Sequence, residues 1–410
     1  MQSQYPTDSE KHMRRIAVLV GAAIVSGCSA ESPVVQPRQQ STVVRDQQRV
    51  SVTYAIEALP SLGGTSRGNG INDVGFIAGY SNLPDGSRHA ALWVGDAVAD
   101  LGTLGGPNSS VVWPSLNNAG AIVGIAETEA MDPLGESWSC AAFFPSVTHH
   151  VCRGFVRVDG EMHALPTLGG THGFAAGINS EGQVVGWSET VVHDPTCSAP
   201  QVLQFRATQW DALTRAATEL PPLPGDSTSA ATGINDRGQV IGISGDCGVA
   251  VGAFSARHAV LWEHGTVTDL GNFGGQAWNT PMAINAAGDI VGFSDLPGDS
   301  DGNSREHAFL WTRKDGMRDL GTLPGDLTSE ASGINGRGQI VGLSCGEVVC
   351  RAVLWQGGAA IPLDSLANLA PGDQLQSAQD INDAGQITGR IIQGSTGRRL
   401  AFLATPIVAR

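Results

Sequence analysis

Short apolar stretches alternate with Gly- and Asn/Asp-rich turns from about residue 51 to the end of the chain, and no long helical pattern fits among them. One signal recurs seven times: an apolar residue, Asn, two residues, Gly, a stretch rich in β-branched residues, and Gly again. Its apolar-Asn pairs are Ile71-Asn72, Leu116-Asn117, Ile178-Asn179, Ile234-Asn235, Ile284-Asn285, Ile334-Asn335 and Ile381-Asn382. Successive Asn residues are 45 to 62 positions apart, room for about four short strands per unit.

Each unit reads as a sequence of strands. Ala231-Thr232-Gly233-Ile234-Asn235 has the composition of a first strand, and Asp236-Arg237-Gly238 forms its turn, with Gly where positive φ is needed. Gln239-Val240-Ile241-Gly242 returns as a second strand, its Gly allowing a neighbouring backbone to come close. Third strands are His89 to Trp93, His258 to Trp262, His307 to Trp311 and Arg351 to Trp355. A fourth element is expected in the runs Asp100 to Gly106, Asp269 to Gly275 and Asp319 to Gly325. Four strands per unit make a propeller blade, so the fold class is all-β, a seven-bladed β-propeller of four-stranded blades. Ala58 to Gly64 resembles a fourth element with nothing before it, and the last unit, from Ile381 to Leu403, lacks one. The N-terminal strand, about residues 51 to 59, is therefore expected to complete the last blade and close the ring, which removes exposed sheet edges.

The repeated Gly-Ile-Asn-Asp, Ile-Val-Gly, His-Ala-Phe-Leu-Trp and Asp-Leu-Gly-Thr-Leu elements resemble the bacterial extracellular HAF-repeat family, on the triplet at His307-Ala308-Phe309 and over about residues 50 to 405. The resemblance implies an exported repeat protein and brings no known catalytic residues. The second and third units depart from it, with Arg153-Gly154-Phe155 and Arg206-Ala207-Thr208 in place of the triplet.

The N-terminus adds a location. Met13-Arg14-Arg15, an apolar run from Ile16 to Val25 and Ser26-Gly27-Cys28 form a charged region, an apolar region and a small-residue cleavage site, similar to a bacterial lipoprotein signal. The apolar run is too short for an ordinary membrane span. Cys28 is the expected lipidated first residue after removal of residues 1–27, and 28–50 form a tether rich in Ser, Gln, Pro and Val ahead of the propeller at 51–410. The start codon is Met1 or Met13. These features place the protein at the bacterial cell envelope, on the periplasmic or outer-membrane and surface side, with the membrane as partner through the lipid.

Composition narrows the partners. With 24 basic and 39 acidic residues the net charge is −15, which argues against broad nucleic-acid binding. The protein is expected to be monomeric. Without Cys28, six of the seven cysteines remain, an even number suited to an oxidising compartment. Their places in the repeats select Cys140–Cys152, Cys197–Cys247 and Cys345–Cys350 as disulfides of the variable loops.

No Gly-x-Ser-x-Gly elbow, His-Glu-x-x-His pair, phosphate loop or nucleotide fingerprint occurs, so no catalytic residue is assigned and no cofactor is expected, calcium excepted. Calcium is suggested by Asp299, Asp301 and Asn303, alternate oxygen donors around a Gly, between Asp295 and Glu306. His89, His258 and His307 share one blade position and are read as strand-end residues, and the seven Asn residues as turn formers. Most tryptophans fall on packing positions, whereas Trp113, Trp138 and Trp278 fit no template position. Trp113 and Trp278 are expected before first strands and Trp138 in the longest loop between second and third strands, on one aromatic, disulfide-rich face. The reading is a binding or interaction module, its ligand a glycan or an envelope protein. Its alternatives are a glycan-active hydrolase or lyase with a site in the central channel, and a structural envelope protein.

Overall fold

In a computed structural model of the chain, residues 52–407 are described apart from 137 and 299–304. Seven four-stranded antiparallel sheets take in every named strand of this region. The first is built from Ser66–Ile71, Ile77–Asn82, Arg88–Val94 and Ala97–Asp100, in chain order from the inside outward. The other blades repeat this order, and the innermost strands of blades three, four, five, six, seven and one contact in turn around the axis. The last blade takes Gln374–Ile381, Ile387–Ile392 and Arg399–Ile407 from the C-terminal end and Thr53–Ala58 from the N-terminal end. Thr53 pairs with Ile407 and Ala58 with Phe402, so the ring closes through the first strand as expected.

Both glycines of the signal are required, for different reasons. Gly238 turns the inner hairpin at φ 71°, where a side chain would be strained. Gly242 has φ in the ordinary range, but a Cβ there would lie 2.1 Å from the carbonyl oxygen of Ala230 on the innermost strand. The first strand is bulged at this point, between Ala231 and Gly233, and pushes its carbonyl toward the neighbour.

The fourth strand differs from the expected element. It is the short segment before the run, Ala97–Asp100 in blade one, and Leu101-Gly102-Thr103-Leu104 is the connection into blade two. The run is recurrent because of what its Asp does. Asp100 receives the His89 ring at 2.8 Å and the Gly102 N–H at 2.8 Å, and Asp269 with His258 and Asp319 with His307 repeat the arrangement. The histidines thus tie third strand to fourth in blades one, four and five.

Blades are also latched to one another. The indole N–H groups of Trp93, Trp210 and Trp262 donate to the carbonyls of Pro60, Pro166 and Pro221 on the connection entering the same blade. Ser109, Ser229 and Ser329 accept the N–H of Ala90, Ala207 and Ala308 from the preceding blade. Trp93, Trp187 and Trp210 are fully buried between sheets.

Candidate functional site

The two ends of the ring differ because the two kinds of loop differ. One end carries the short hairpin turns with their Asn residues; the other carries the variable connections between second and third strands.

At the turn end the seven Asn residues form a closed circuit. Each side-chain amide donates to the backbone carbonyl of the next Asn, from Asn72 to Asn117, Asn179, Asn235, Asn285, Asn335, Asn382 and back to Asn72, at 2.9 to 3.3 Å. Each side-chain oxygen meanwhile accepts the N–H four residues on, as Asn235 does from Gln239 at 3.1 Å. Turn chemistry foretold the second contact; the first exists only once the blades form a ring.

Just outside this circuit lies a mouth of about 250 Å³ with Asp73, Asn118, Ser180, Asp236, Asp380 and Asp383 on its rim. The residue before the apolar-Asn pair is small in six blades, being Gly70, Ser115, Gly177, Gly233, Ala283 and Gly333. The last blade has Asp380 there. Its two oxygens accept the N–H groups of Ile71 and Ile381 at 2.9 Å. Burial pushes its carboxyl up to about 7, against the pull of those two N–H groups. A carboxyl that titrates near neutrality can give or take a proton, and a repeat alignment that asked what breaks the small-residue rule would have found it.

At the loop end the structure forms the three expected disulfides, Cys140–Cys152, Cys197–Cys247 and Cys345–Cys350. The second joins loops of neighbouring blades. Around them this end exposes apolar side chains: Met131 is 58% exposed, Val191 69%, Phe254 53% and Val348 79%. Met131 and Val191 lie at the far ends of the second strands Ile122–Met131 and Gln183–His193, and Phe254 and Val348 in the connections that follow second strands in blades four and six, so all four sit at this end of the ring.

The tryptophans are arranged differently from expectation. Trp113 follows the innermost strand Gly105–Ser110 of its blade instead of preceding it, because Leu116 and Ile122 are joined only by an isolated bridge beyond that strand. It is half-buried, edge-on to Phe174 at 4.9 Å and to Phe143 at 6.4 Å, and Phe143 stacks on Phe174 at 5.2 Å. Trp278 precedes its first strand as expected, half-buried, with its backbone N–H on the Ala253 carbonyl at 3.2 Å. Trp138 begins a one-turn helix, Trp138–Ala141, and its side chain lies outside the described residues. So do Asp299, Asp301 and Asn303, the expected calcium donors, and Cys28 with the segment expected to be signal and tether. The ends of that acidic loop are described: Asp295 and Glu306 face each other across the strand pair, both buried.

Sequence reading missed a buried polar cluster beneath the loops of blades two and three. Glu136 reaches across to accept the N–H groups of Val202 and Leu203 at 2.6 and 2.5 Å. Burial and the charge of Glu189 push its carboxyl up. Gln201 bridges Glu136 and Glu189, and Thr171 donates to Glu189 at 2.7 Å. His172 accepts the Cys152 N–H on Nδ1 at 3.1 Å, so its Nε2 carries the proton and faces Asp132 at 3.4 Å. Asp132, Glu136 and His172 offer donor atoms within 4.8 Å of one another, the spacing of a metal site. The tautomer opposes that use, because a metal would need the Nε2 lone pair. Both the His172 and Asp132 side chains are wholly buried, so the cluster is a latch between two loops.

No family model matches the chain. No curated protein matches it in sequence. Similar solved structures include an oligogalacturonate lyase from Vibrio parahaemolyticus, 10% identical, with TM-score 0.48 over 86% of this chain and 97% of that one. The extracellular domain of a one-component system from B. thetaiotaomicron is 7% identical, with TM-score 0.42 over 85% of this chain and 39% of that one. The Aleuria aurantia lectin, in complex with Fucα1-6GlcNAc, is 10% identical, with TM-score 0.34 over 76% and 96%. At such identities and scores these likenesses carry no argument about what this chain binds or catalyses; the seven-bladed β-propeller rests on its own strand pairing.

Proposed function

We propose that this propeller is an exported, lipid-anchored binding module of the HAF-repeat kind at the bacterial cell envelope, recognising a glycan or an envelope protein through its loop face. The observation that carries the reading is what gathers at that end: all three disulfides, and the exposed Met131, Val191, Phe254 and Val348 on second-strand ends and the connections after them. Loops that are cross-linked lose little entropy on binding. The strand Thr53–Ala58 starts at the turn end, beside Ile407, so a tether from Cys28 leaves the ring opposite the loop face and leaves that face free. Three disulfides are consistent with export.

The test is a glycan array together with an envelope-protein pull-down, using the chain from Ser29 onward and a variant with Met131, Val191, Phe254 and Val348 all changed to Ser. Binding by the parent and its loss in a folded variant supports the reading. Equal binding by both moves the site off this face, and a parent that binds nothing in either assay overturns it.

A second reading, a hydrolase or lyase working in the channel, is favoured by Asp380 alone, a carboxyl near 7 at the mouth. Glycan cleavage by the parent that is lost in Asp380→Asn would establish it.

A further inference from the structure

We infer that the turn end of the ring lies against a lipid surface, and that a cavity between blades four and five takes the phosphoethanolamine headgroup of a zwitterionic lipid. This inference rests on the lipid-anchored part of the reading above and names what the end opposite the loop face meets.

The cavity measures about 340 Å³ and lies among four hairpin turns. Blade four supplies Arg237 from its inner turn and Glu263 and His264 from its outer one, and blade five supplies Asp289 and Arg313 in the same way. Asp289 departs from the repeat. Four residues past the circuit Asn, blades three, four, six and seven carry Gln183, Gln239, Gln339 and Gln386, each accepting the Asn amide on Oε1. Asp289 keeps that bond on one oxygen, to Asn285 at 3.3 Å, and puts a charge where those four blades are neutral.

The charges in the cavity are unequally matched. Glu263 is taken, accepting from Arg313 at 2.6 Å and from Gln239 at 2.7 Å. Arg237 and Asp289 line the same space and neither has an ion pair among the described residues; the Arg237 guanidinium reaches only the Ala287 carbonyl, at 3.4 Å. His264 stands where blade one has Gly95 and blade six Gly357, in a left-handed conformation at φ 51° that favours glycine. Its ring is 89% exposed, with Nε2 3.9 Å from Glu263, so the fold gains no close contact from it. A side chain kept at a backbone cost and left in solvent points to use by a ligand.

A simple anion would answer Arg237 and leave Asp289, and a simple cation the reverse; a zwitterion answers both. The exposed Arg237 fork beside His264 suits a phosphate, and Asp289 an ammonium. That ammonium is primary, because a quaternary one has no N–H for Asp289 and is held by the faces of Trp, Tyr or Phe, none of which is among the described lining residues. Position decides the source. Thr53–Ala58, the first described strand after the proposed tether, starts at this end. The same end exposes Val74 on the inner turn of blade one and Leu213 on the outer turn of blade three, which a bilayer can cover and a soluble zwitterion would not use. An anionic lipid is disfavoured by Asp73, Asp236 and Asp383 around the nearby mouth and by the net charge of −15.

The test is vesicle co-sedimentation of the chain from Ser29 onward, which retains every described strand. Vesicles of phosphatidylcholine alone are compared with vesicles that also contain phosphatidylethanolamine or phosphatidylglycerol, and soluble phosphoethanolamine is titrated by calorimetry. The variants are Arg237→Gln, Asp289→Asn and, as a control exposed at the loop end, Arg399→Gln, each with its unfolding temperature measured. The expected result is binding to the phosphatidylethanolamine vesicles, weaker by about tenfold in each cavity variant, as for one lost charge-assisted bond, and unchanged in the control. Equal binding to phosphatidylcholine vesicles, a preference for phosphatidylglycerol, or unchanged affinity in the folded cavity variants overturns the site. Binding of soluble phosphoethanolamine without vesicle binding overturns the lipid surface. Mass spectrometry of Cys28 in protein extracted from cells tests the anchor separately. A lipidated Cys28 with no vesicle binding overturns this inference alone; an unlipidated Cys28 overturns the anchored reading, and vesicle binding then still upholds the site.

Discussion

Asn235 shows what a single side chain contributes. Its oxygen accepts the N–H groups of Arg237 and Gln239, while its amide donates to Gln239 Oε1 and to the Asn285 carbonyl in the next blade. Asn235→Ala leaves buried groups without partners and is expected to cost about 2–4 kcal/mol, measurable as a shift in urea midpoint at constant slope. Asp380 carries the pH dependence. Its folded pKa, about 7, lies above the ordinary value of 3.8, so its stabilising share is complete below pH 4 and is lost as pH rises toward 7. Asp380→Asn should flatten the stability profile between those limits; an unchanged slope would place the titration elsewhere. His307 and Asp319 act in opposite senses. The Asp319 hydrogen bond raises His307 despite burial, so that contribution fades as pH rises above the ordinary histidine value of 6.5. Burial acts upward on Asp319 but is outweighed by His307 and the Gly321 N–H, and the lowered carboxyl loses its contribution as pH falls below 3.8. The pair is half exposed, so the effect is small.

Strands and loops depend on contacts that sequence distance hides. Gly242→Ala puts a methyl 2.1 Å from a carbonyl oxygen, and only backbone movement relieves it. A loss above about 2 kcal/mol is expected in chemical unfolding, although Gly→Ala at an unstrained site usually stabilises. The disulfides should differ in weight. Cys197–Cys247 spans 50 residues and joins two blades, whereas Cys345–Cys350 spans 5. Replacing the first pair by Ala should lower the unfolding temperature clearly more than replacing the second, because a longer closed loop restrains the unfolded chain more. The hairpins were legible in the sequence because turn residues at fixed offsets encode them locally. The fourth strand was placed too late because the repeated run marks a bonding position, Asp100 with its His and Gly partners, and the Ala97–Asp100 strand that ends there has no other signature.

At the scale of the molecule, closure is the main event. Tyr54 is buried and Thr53–Ala58 covers the outer edge of the last blade. A chain starting at residue 51 should therefore unfold like one starting at 29, while a chain starting at residue 60 exposes the edge of Arg399–Ile407 and should aggregate or unfold at much lower temperature. Size-exclusion chromatography and thermal scans of the three chains decide this.

What the sequence determined by itself is everything that repeats: the number of blades, the inner hairpins with their glycines, the strand that completes the ring and the loops that carry cysteines. A repeat specifies structure because each copy restates the same local chemistry. Tertiary structure decided what depends on one blade meeting another. The Asn circuit, the Ser latches, the Glu136 bridge between loops and the arginines gathered on Tyr80 join residues from separate blades, and the Trp latches join a blade to the connection that enters it. Their partners come within bonding distance only when each blade packs against its entering connection or its neighbour, and so no spacing along the chain announces them.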